Sequence, residues 1–387
     1  MATKFGYFLI ADISGYTQYL SASELDHAQK ILTALLNLLI SHTKPPLIIS
    51  RLAGDAVISY GLRDNFVLGQ TFVGMLEDTY VSFRRAIELM VRNTSCPCNA
   101  CRNIGSLDLK FFVHYGEFGV QRLDAHDELV GSDVNLIHRL LKNSVKEVTG
   151  ISAYTMYSEQ AARALGLDEA MREFVPHEES YEHLGTVRTF IQDMHRVWEG
   201  KRGEPQVIIA AEDRLFELST RIDLPREQVW DYMSRPEFAG TMLGGNRIEI
   251  VQRRGGAIAE GSQYLCYHGD AVVQNTILDW QPFERLVFQF LMPVPVKGVT
   301  GLVEVALAQR DGATVVTQTY SKARGPLAGR LMANQGLKSM RAGFEANLLA
   351  FKAAIEADSF RTRPAETATR ISVDDIVAAA RQALQPA

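Results

Sequence analysis

The chain has 387 residues, more than one core of roughly 100 to 200 residues holds, so two domains are expected. Its 47% hydrophobic and 22% charged residues exclude a disordered or fibrous chain, and a formal charge of −5 supplies no basic field for gripping nucleic acid or an anionic membrane. Four cysteines are too few for a disulfide framework, and the opening MATKFGYFLIADISGY turns polar too early for a secretory signal, so the cytoplasm is the expected compartment.

Phe5 to Ile13, rich in aromatic and β-branched residues, reads as a buried strand that ends at Asp12-Ile13-Ser14-Gly15. From Ser23 to about Ile40 leucines recur at helical spacing until Lys44-Pro45-Pro46 stops the helix. The longest apolar run, Ile31 to Ile40, is about half the roughly 20 residues of a spanning helix, so no membrane span is expected. Leu47 to Leu52 and Ala56 to Tyr60 form a hairpin around Ala53-Gly54-Asp55. A helix over Val67 to Arg92, a strand over Leu107 to Val113, a helix over Gly131 to Val145 and a strand over Val187 to Gln192 follow. This order suits an α+β sandwich with helices on one sheet face.

A polar passage, Glu199 to Pro205, marks the boundary, with domain one over 1–197 and a linker over 198–212. Domain two, 213–357, opens with a strand at Phe216 to Ile222 and a short helix after Leu224-Pro225. Strands recur at Ile248 to Arg253, Ser262 to His268, Ala271 to Asp279, Arg285 to Met292, Gly301 to Gln309 and Thr314 to Tyr320. One long helix, Pro326 to Ala357, closes it with an apolar face that includes Leu331, Met332, Leu337, Met340, Phe344, Leu348, Leu349 and Phe351. Residues 358–387 read as a linker, including Arg361 to Pro364, and a short helix, Val373 to Leu384.

Two aspartates carry the chemistry. Asp12 ends a strand and Asp55 sits in a hairpin turn; if those strands are neighbours, both carboxylates leave one sheet edge, an oxygen-rich site suited to Mg²⁺ or Mn²⁺. The alternative is that Asp12 caps a turn and Asp55 occupies an ordinary hairpin position. On the helix of LVGSDVNLIHRLLKNS, Asn135 and Arg139 are four residues apart and share a face, either as a polar surface or as groups that reach one ligand.

FLIADISGYT, RLAGDAVISYG, FFVHYGEFGVQ and LVGSDVNLIHRL, in that order, resemble the class III nucleotidyl cyclase catalytic domain over about residues 5–195. The resemblance implies a ferredoxin-like fold, two metal ions held by Asp12, Asp55 and the Ile13 carbonyl, and transition-state contacts from Asn135 and Arg139. It implies that the amides of Ser14, Gly15, Tyr16 and Thr17 face phosphate, and that a homodimer assembles each site from both subunits. A nucleoside triphosphate, ATP by prevalence, would be converted to a 3′,5′-cyclic nucleotide and pyrophosphate. Base recognition falls on Arg51, where the family's adenylate cyclases have lysine, and on Glu128, with Asp127 adjacent. The second phosphate-binding lysine is absent from HLGTVRTF, where Arg188 is close but displaced. A noncatalytic nucleotide-binding and dimerisation module therefore stays open.

Cys96, Cys98 and Cys101 lie within six residues and suit Zn²⁺, with His114 or a partner-subunit residue as the fourth ligand; a reduced, metal-free loop is the alternative. Residues 213–357 resemble the helix-grip architecture of the START-like, polyketide-cyclase-like (SRPBCC) superfamily, most clearly at FELSTRIDLPREQVWDYMSRPE. That resemblance implies a cavity for a small lipophilic ligand, lined by Trp230, Tyr264, Trp280, Phe288 and Phe290, with Phe238 and Met292 as further candidates. Ordinary core packing of these aromatics is the alternative, and a hydrophobic-ligand protein is a third reading of the chain. His268 and Asp270 form a further polar pair without an assigned role.

Overall fold

The computed structural model describes residues 3–44, 46–63, 69–94, 96–123, 126–202, 207–252, 261–269 and 271–358. The expected helix Val373 to Leu384, the linker at Arg361 to Pro364, Arg253, Asp270 and the Asp127 side chain lie outside them. The chain divides into two compact units between Glu204 and Pro205.

The first unit contains β1 (Lys4–Ser14), α1 (Tyr16–Ser21), α2 (Leu25–Thr43), β2 (Ile48–Ala53), β3 (Ala56–Leu62), α3 (Gly69–Asn93), α4 (Asn99–Arg102) and β4 (Asp108–Leu123). It continues with β5 (His126–Val130), α5 (Ser132–Leu140), α6 (Val145–Thr149), β6 (Tyr154–Ser158), α7 (Glu159–Ala164), β7 (Val175–Tyr181), β8 (Gly185–Asp193) and α8 (Met194–Lys201). The main sheet runs β2-β3-β1-β4-β6-β8-β7, and β5 pairs with the far end of β4. Its first four strands, with α2 and α3 as connections, have the spatial order of the split βαβ, ferredoxin-like motif.

Helices cover both faces of this sheet, which corrects the one-face expectation. Phe8, Ile10 and Phe112 pack with Val134, Ile137 and Leu140 of α5. Tyr7, one residue out of phase, donates its hydroxyl to Ala164 of α7, 3.0 Å away on the other side. A strand buried on both faces reads as a continuous apolar run, and residues 6–11 of β1 are indeed all buried. Strands β5, β6 and β7 and helix α1 have no counterpart in the sequence expectation, and the helix expected over Gly131 to Val145 stops at Leu140 as α5, with the separate short α6 beginning only at Val145.

The second unit contains β9 (Arg214–Ile222), α9 (Arg226–Met233), α10 (Pro236–Leu243), β10 (Arg247–Gln252), β11 (Gln263–His268), β12 (Ala271–Gln281), β13 (Arg285–Leu291), β14 (Thr300–Arg310) and β15 (Ala313–Ser321). These strands form one antiparallel sheet, β10-β11-β12-β13-β14-β15-β9, closed by helices α11 (Leu327–Ser339) and α12 (Arg341–Ala357). Both residues of the Asp311-Gly312 turn have positive φ, 50° and 76°, as the tight hairpin between β14 and β15 requires. Phe344 of α12 stacks on Phe216 and Tyr320, so the last helix lies on the sheet in a helix-grip arrangement. The expected single helix from Pro326 to Ala357 is interrupted at Met340, between Gly336 and Gly343, where the low helix propensity of glycine permits a break. Only part of the expected apolar face is covered: Leu337, Leu348 and Phe351 are buried, whereas Leu331, Met332, Met340 and Leu349 are exposed.

Candidate functional site

Antiparallel pairing puts Asp12 of β1 opposite Ala56 of β3 and opposite Lys110 of β4. Asp55 is the residue before Ala56, and its carbonyl accepts a 3.1 Å hydrogen bond from the Ile13 amide. The two aspartates therefore share one sheet edge, with Asp12 in phase with Phe8 and Ile10, which face α5. Burial, then the charge of Asp55, pushes the Asp12 carboxyl up to about 6, against the opposing pull of Lys110. Burial also raises the Asp55 carboxyl. Among the described residues neither carboxylate enters an ion pair, and the Ser14 hydroxyl beside them is buried without a hydrogen-bond partner. Crowded, partly desolvated carboxylates with an unsatisfied hydroxyl fit hard divalent cations such as Mg²⁺ or Mn²⁺, which take oxygen ligands.

Gly15 follows with φ of 84°, the left-handed turn that leads into α1, and a Cβ there would come within 3.0 Å of the Ser106 carbonyl. Tyr16 and Thr17 form the first turn of α1. Asn135 and Arg139 lie on the exposed face of α5, and among the described residues neither side chain is held by another group.

Arg51 and Glu128 meet in a 3.1 Å ion pair. A β-bulge makes this possible. The pairing of β2 with β3 slips by one residue between Ile49 and Arg51, so Arg51 lies opposite Ile58, on the α5 side, instead of opposite Val57. His138 of α5 sits beside the pair; burial, then the Arg51 charge, lowers its pKa against the pull of Glu128, which favours neutral imidazole. No motif singled out His138, although it stands next to Arg139 on a helix already marked by Asn135. Arg188 pairs instead with Glu178 at 3.0 Å on exposed surface.

The position of α5 depends on Asp133, another residue missed from sequence. One of its oxygens accepts from the Glu117 amide at 2.7 Å, and the other contacts His114 Nε2 at 3.2 Å. His114 is fully buried and its Nδ1 lies 2.8 Å from the Ser158 hydroxyl. His114 is thus committed to α5 and is not the fourth partner of the cysteines. Gly116 leaves the room Asp133 needs, since a Cβ there would stand 2.3 Å from the carboxylate.

Cys96, Cys98 and Cys101 converge on His27 of α2, with His27 Nδ1 3.3 Å from Cys98 Sγ. In the second unit, a cavity of about 330 Å³ is lined by Phe288, Phe290, Met292, Val273, Met332 and Met340, among others. His268 and Asn275 also line this cavity. Tyr264 and Trp280 line a separate space of about 60 Å³ that Phe288 also borders. Trp230 lines neither: it is fully buried against Trp280 and Phe283 and belongs to the core. Phe238 packs edge-on against Tyr232.

Two family models match the chain. Residues 32–149 match a family described as a protein of unknown function, DUF2652, and residues 223–356 match activator of Hsp90 ATPase homolog 1-like proteins. The C-terminal part carries a domain of this second kind. An uncharacterized protein of Mycobacterium tuberculosis is 33% identical over 113 residues, 29% of this chain and 50% of its own. The matched segment thus spans about half the length of that curated relative. Among solved structures, the guanylyl cyclase Cya2 is similar at 14% identity and a TM-score of 0.35, over 49% of this chain and 92% of its own. The adenylyl cyclase CyaB from P. aeruginosa is similar at 13% identity and a TM-score of 0.33, over 50% and 95%. Among the described residues, no helix is long and apolar enough to cross a membrane.

Three outcomes are expected. Gly116→Ala drives a methyl into the Asp133 carboxylate and lowers stability by about 1–3 kcal/mol, read by denaturant unfolding. The hydrogen bond from His114 holds the Asp133 carboxyl below its ordinary value, as does the Glu117 amide. Its stabilisation is therefore fully present above the unfolded carboxylate range near about 4 and is lost as pH falls through the lower folded value. The Tm deficit of Asp133→Asn should be largest near neutrality and shrink in acid. Val273→Trp should fill the cavity and weaken binding of an apolar fluorescent probe by about tenfold or more, a loss of about 1.4 kcal/mol.

Proposed function

We propose that the N-terminal domain is a class III-type nucleotidyl cyclase that works as a homodimer on a nucleoside triphosphate, with ATP the preferred reading. The observation that carries this is the convergence of Asp12 and Asp55, raised and without ion-pair partners among the described residues, at one edge of the sheet. Asp12, Asp55 and the Ile13 carbonyl would hold two divalent cations. When bound, these cations lower the pKa of the attacking hydroxyl and stabilise charge on the departing oxygen.

The chain's own groups do the rest. Amides from Ser14 to Thr17 face the triphosphate. Arg51 supplies donors and Glu128 acceptors for the edge of the base, with neutral His138 beside them. Asn135 orients the ribose so that its 3′-hydroxyl lies in line with the α-phosphorus, and Arg139 neutralises charge that accumulates on the phosphoryl oxygens. The 3′-oxygen bond to phosphorus forms as the bond to pyrophosphate breaks, so no covalent protein intermediate is needed. The solvent-facing, unengaged side chains of Asn135 and Arg139 support supply of this pair to the site of a second subunit. We place the reaction in the cytoplasm, a compartment that suits four free cysteines. The apolar cavity supports a lipophilic ligand that tunes the output.

A second reading, a nucleotide-binding dimer with no turnover, is favoured by the engagement of Arg188, the basic residue of β8, with Glu178 instead of with a phosphate position. The test is an assay with Mn²⁺ and each nucleoside triphosphate. Cyclic product should fall by at least about 10²-fold in Asp12→Ala and in Arg139→Ala. Mixing the two inactive variants should restore part of the activity, because a heterodimer assembles one complete site. Nucleotide binding without product would select the second reading, and failure of mixing to rescue would remove the shared site.

A further inference from the structure

We propose that His27, Cys96, Cys98 and Cys101 form a Cys₃His site for Zn²⁺ that braces the segment following the aspartate edge. The cysteines lie in the connection between α3 and β4, and His27 comes from α2. Their four ligand atoms all lie within 4.8 Å of one another. Nδ1 of His27 stands 3.3 Å from Cys98, 3.6 Å from Cys96 and 3.7 Å from Cys101. Tetrahedral zinc, with bonds of about 2.3 Å to sulfur and about 2.0–2.1 Å to nitrogen, sets nitrogen and sulfur about 3.6 Å apart. The observed separations bracket that value.

Ligand type decides the metal. Three thiolates and an imidazole are soft donors that select Zn²⁺ over the Mg²⁺ or Mn²⁺ suited to carboxylates, and four protein ligands close the coordination sphere, as in a structural site. All four cysteines of the chain are free, so no disulfide competes for these thiols. The thiols lose their protons as the metal binds.

The surroundings explain what such a site would hold. Tyr19 of α1 donates its hydroxyl to the Ala100 carbonyl at 3.0 Å, and the Ala100 amide donates to Glu24 at 2.9 Å. The Gly15 turn abuts Ser106, further along the same connection. Zinc would therefore clamp α1 and α2, which directly follow Asp12 and Ser14, against the segment leading into β4. This stands independently of the proposed cyclase activity.

The test uses the full chain purified under reducing conditions. One zinc per chain is expected by elemental mass spectrometry, and the Co²⁺-substituted protein should show thiolate charge-transfer and tetrahedral d–d bands. His27→Ala should weaken Zn²⁺ binding by more than the roughly 10–100-fold typical of losing a second-shell partner. His27→Cys should retain one zinc and gain charge-transfer intensity, a readout that does not depend on a destabilised variant. Asp12→Ala should keep its zinc. A wild-type chain that neither carries zinc nor takes up Zn²⁺ or Co²⁺ overturns the proposal, as does a His27→Ala variant with unchanged affinity and spectrum.

Discussion

The register between β1 and β3 is the constraint on which the N-terminal domain turns. With Asp12 opposite Ala56, and the Ile13 amide bonded to the Asp55 carbonyl, two acidic residues separated by more than forty positions must share an edge. A slip of one residue would reverse every side chain of β1, moving Phe8 and Ile10 out of contact with α5 and Asp12 to the opposite face. The same apolar packing that stabilises the sheet therefore holds the carboxylates together, although burial raises both pKa values, and the Asp55 charge raises that of Asp12 further, at a cost in stability. Local strain of this kind at a sheet edge is what a cation-binding function would exploit.

Around that edge, other groups are positioned by anchors that do no chemistry themselves. Asp133 joins the first turn of α5 to the Glu117 amide and to buried His114, while Gly116 keeps the space open. The helix so fixed presents Val134, Ile137 and Leu140 inward and Asn135 and Arg139 outward. The bulge at Arg51 performs a similar task on β2, turning a long cation toward Glu128 and His138. In the C-terminal domain the interruption at Met340 divides the closing helix, and Met332, Gly336 and Met340 line the apolar cavity beneath it. Flexible methionines suit a cavity wall that adapts to its contents.

Much of this was legible in the residues because periodicity and turn chemistry are local. The continuous apolar run of β1, the leucine spacing of α2, the Asp-Gly turn before β15 and most strands of the second sheet were readable in that way. The aspartates and the Asn135/Arg139 pair stood out because their motifs combine unusual residue types with strand ends and a helix face. Short strands β5, β6 and β7 did not, since a run of five to seven residues carries too few periods to separate strand from loop. Trp230 stays ambiguous in the sequence for a different reason: an aromatic in an amphipathic helix has the same pattern whether it lines a cavity or, as here, fills a core.

The sequence by itself determined that there are two α+β domains, where the acidic and thiol groups lie along the chain, and which helix face carries Asn135 and Arg139. Those properties follow from spacing within single elements. Only the tertiary structure decided that helices cover both faces of the first sheet, that Arg51 turns toward Glu128, that His114 serves α5, and that His27 joins the cysteines. Each of those depends on strand register, a bulge or the docking of distant elements, and such long-range pairings leave no periodic trace in the order of residues.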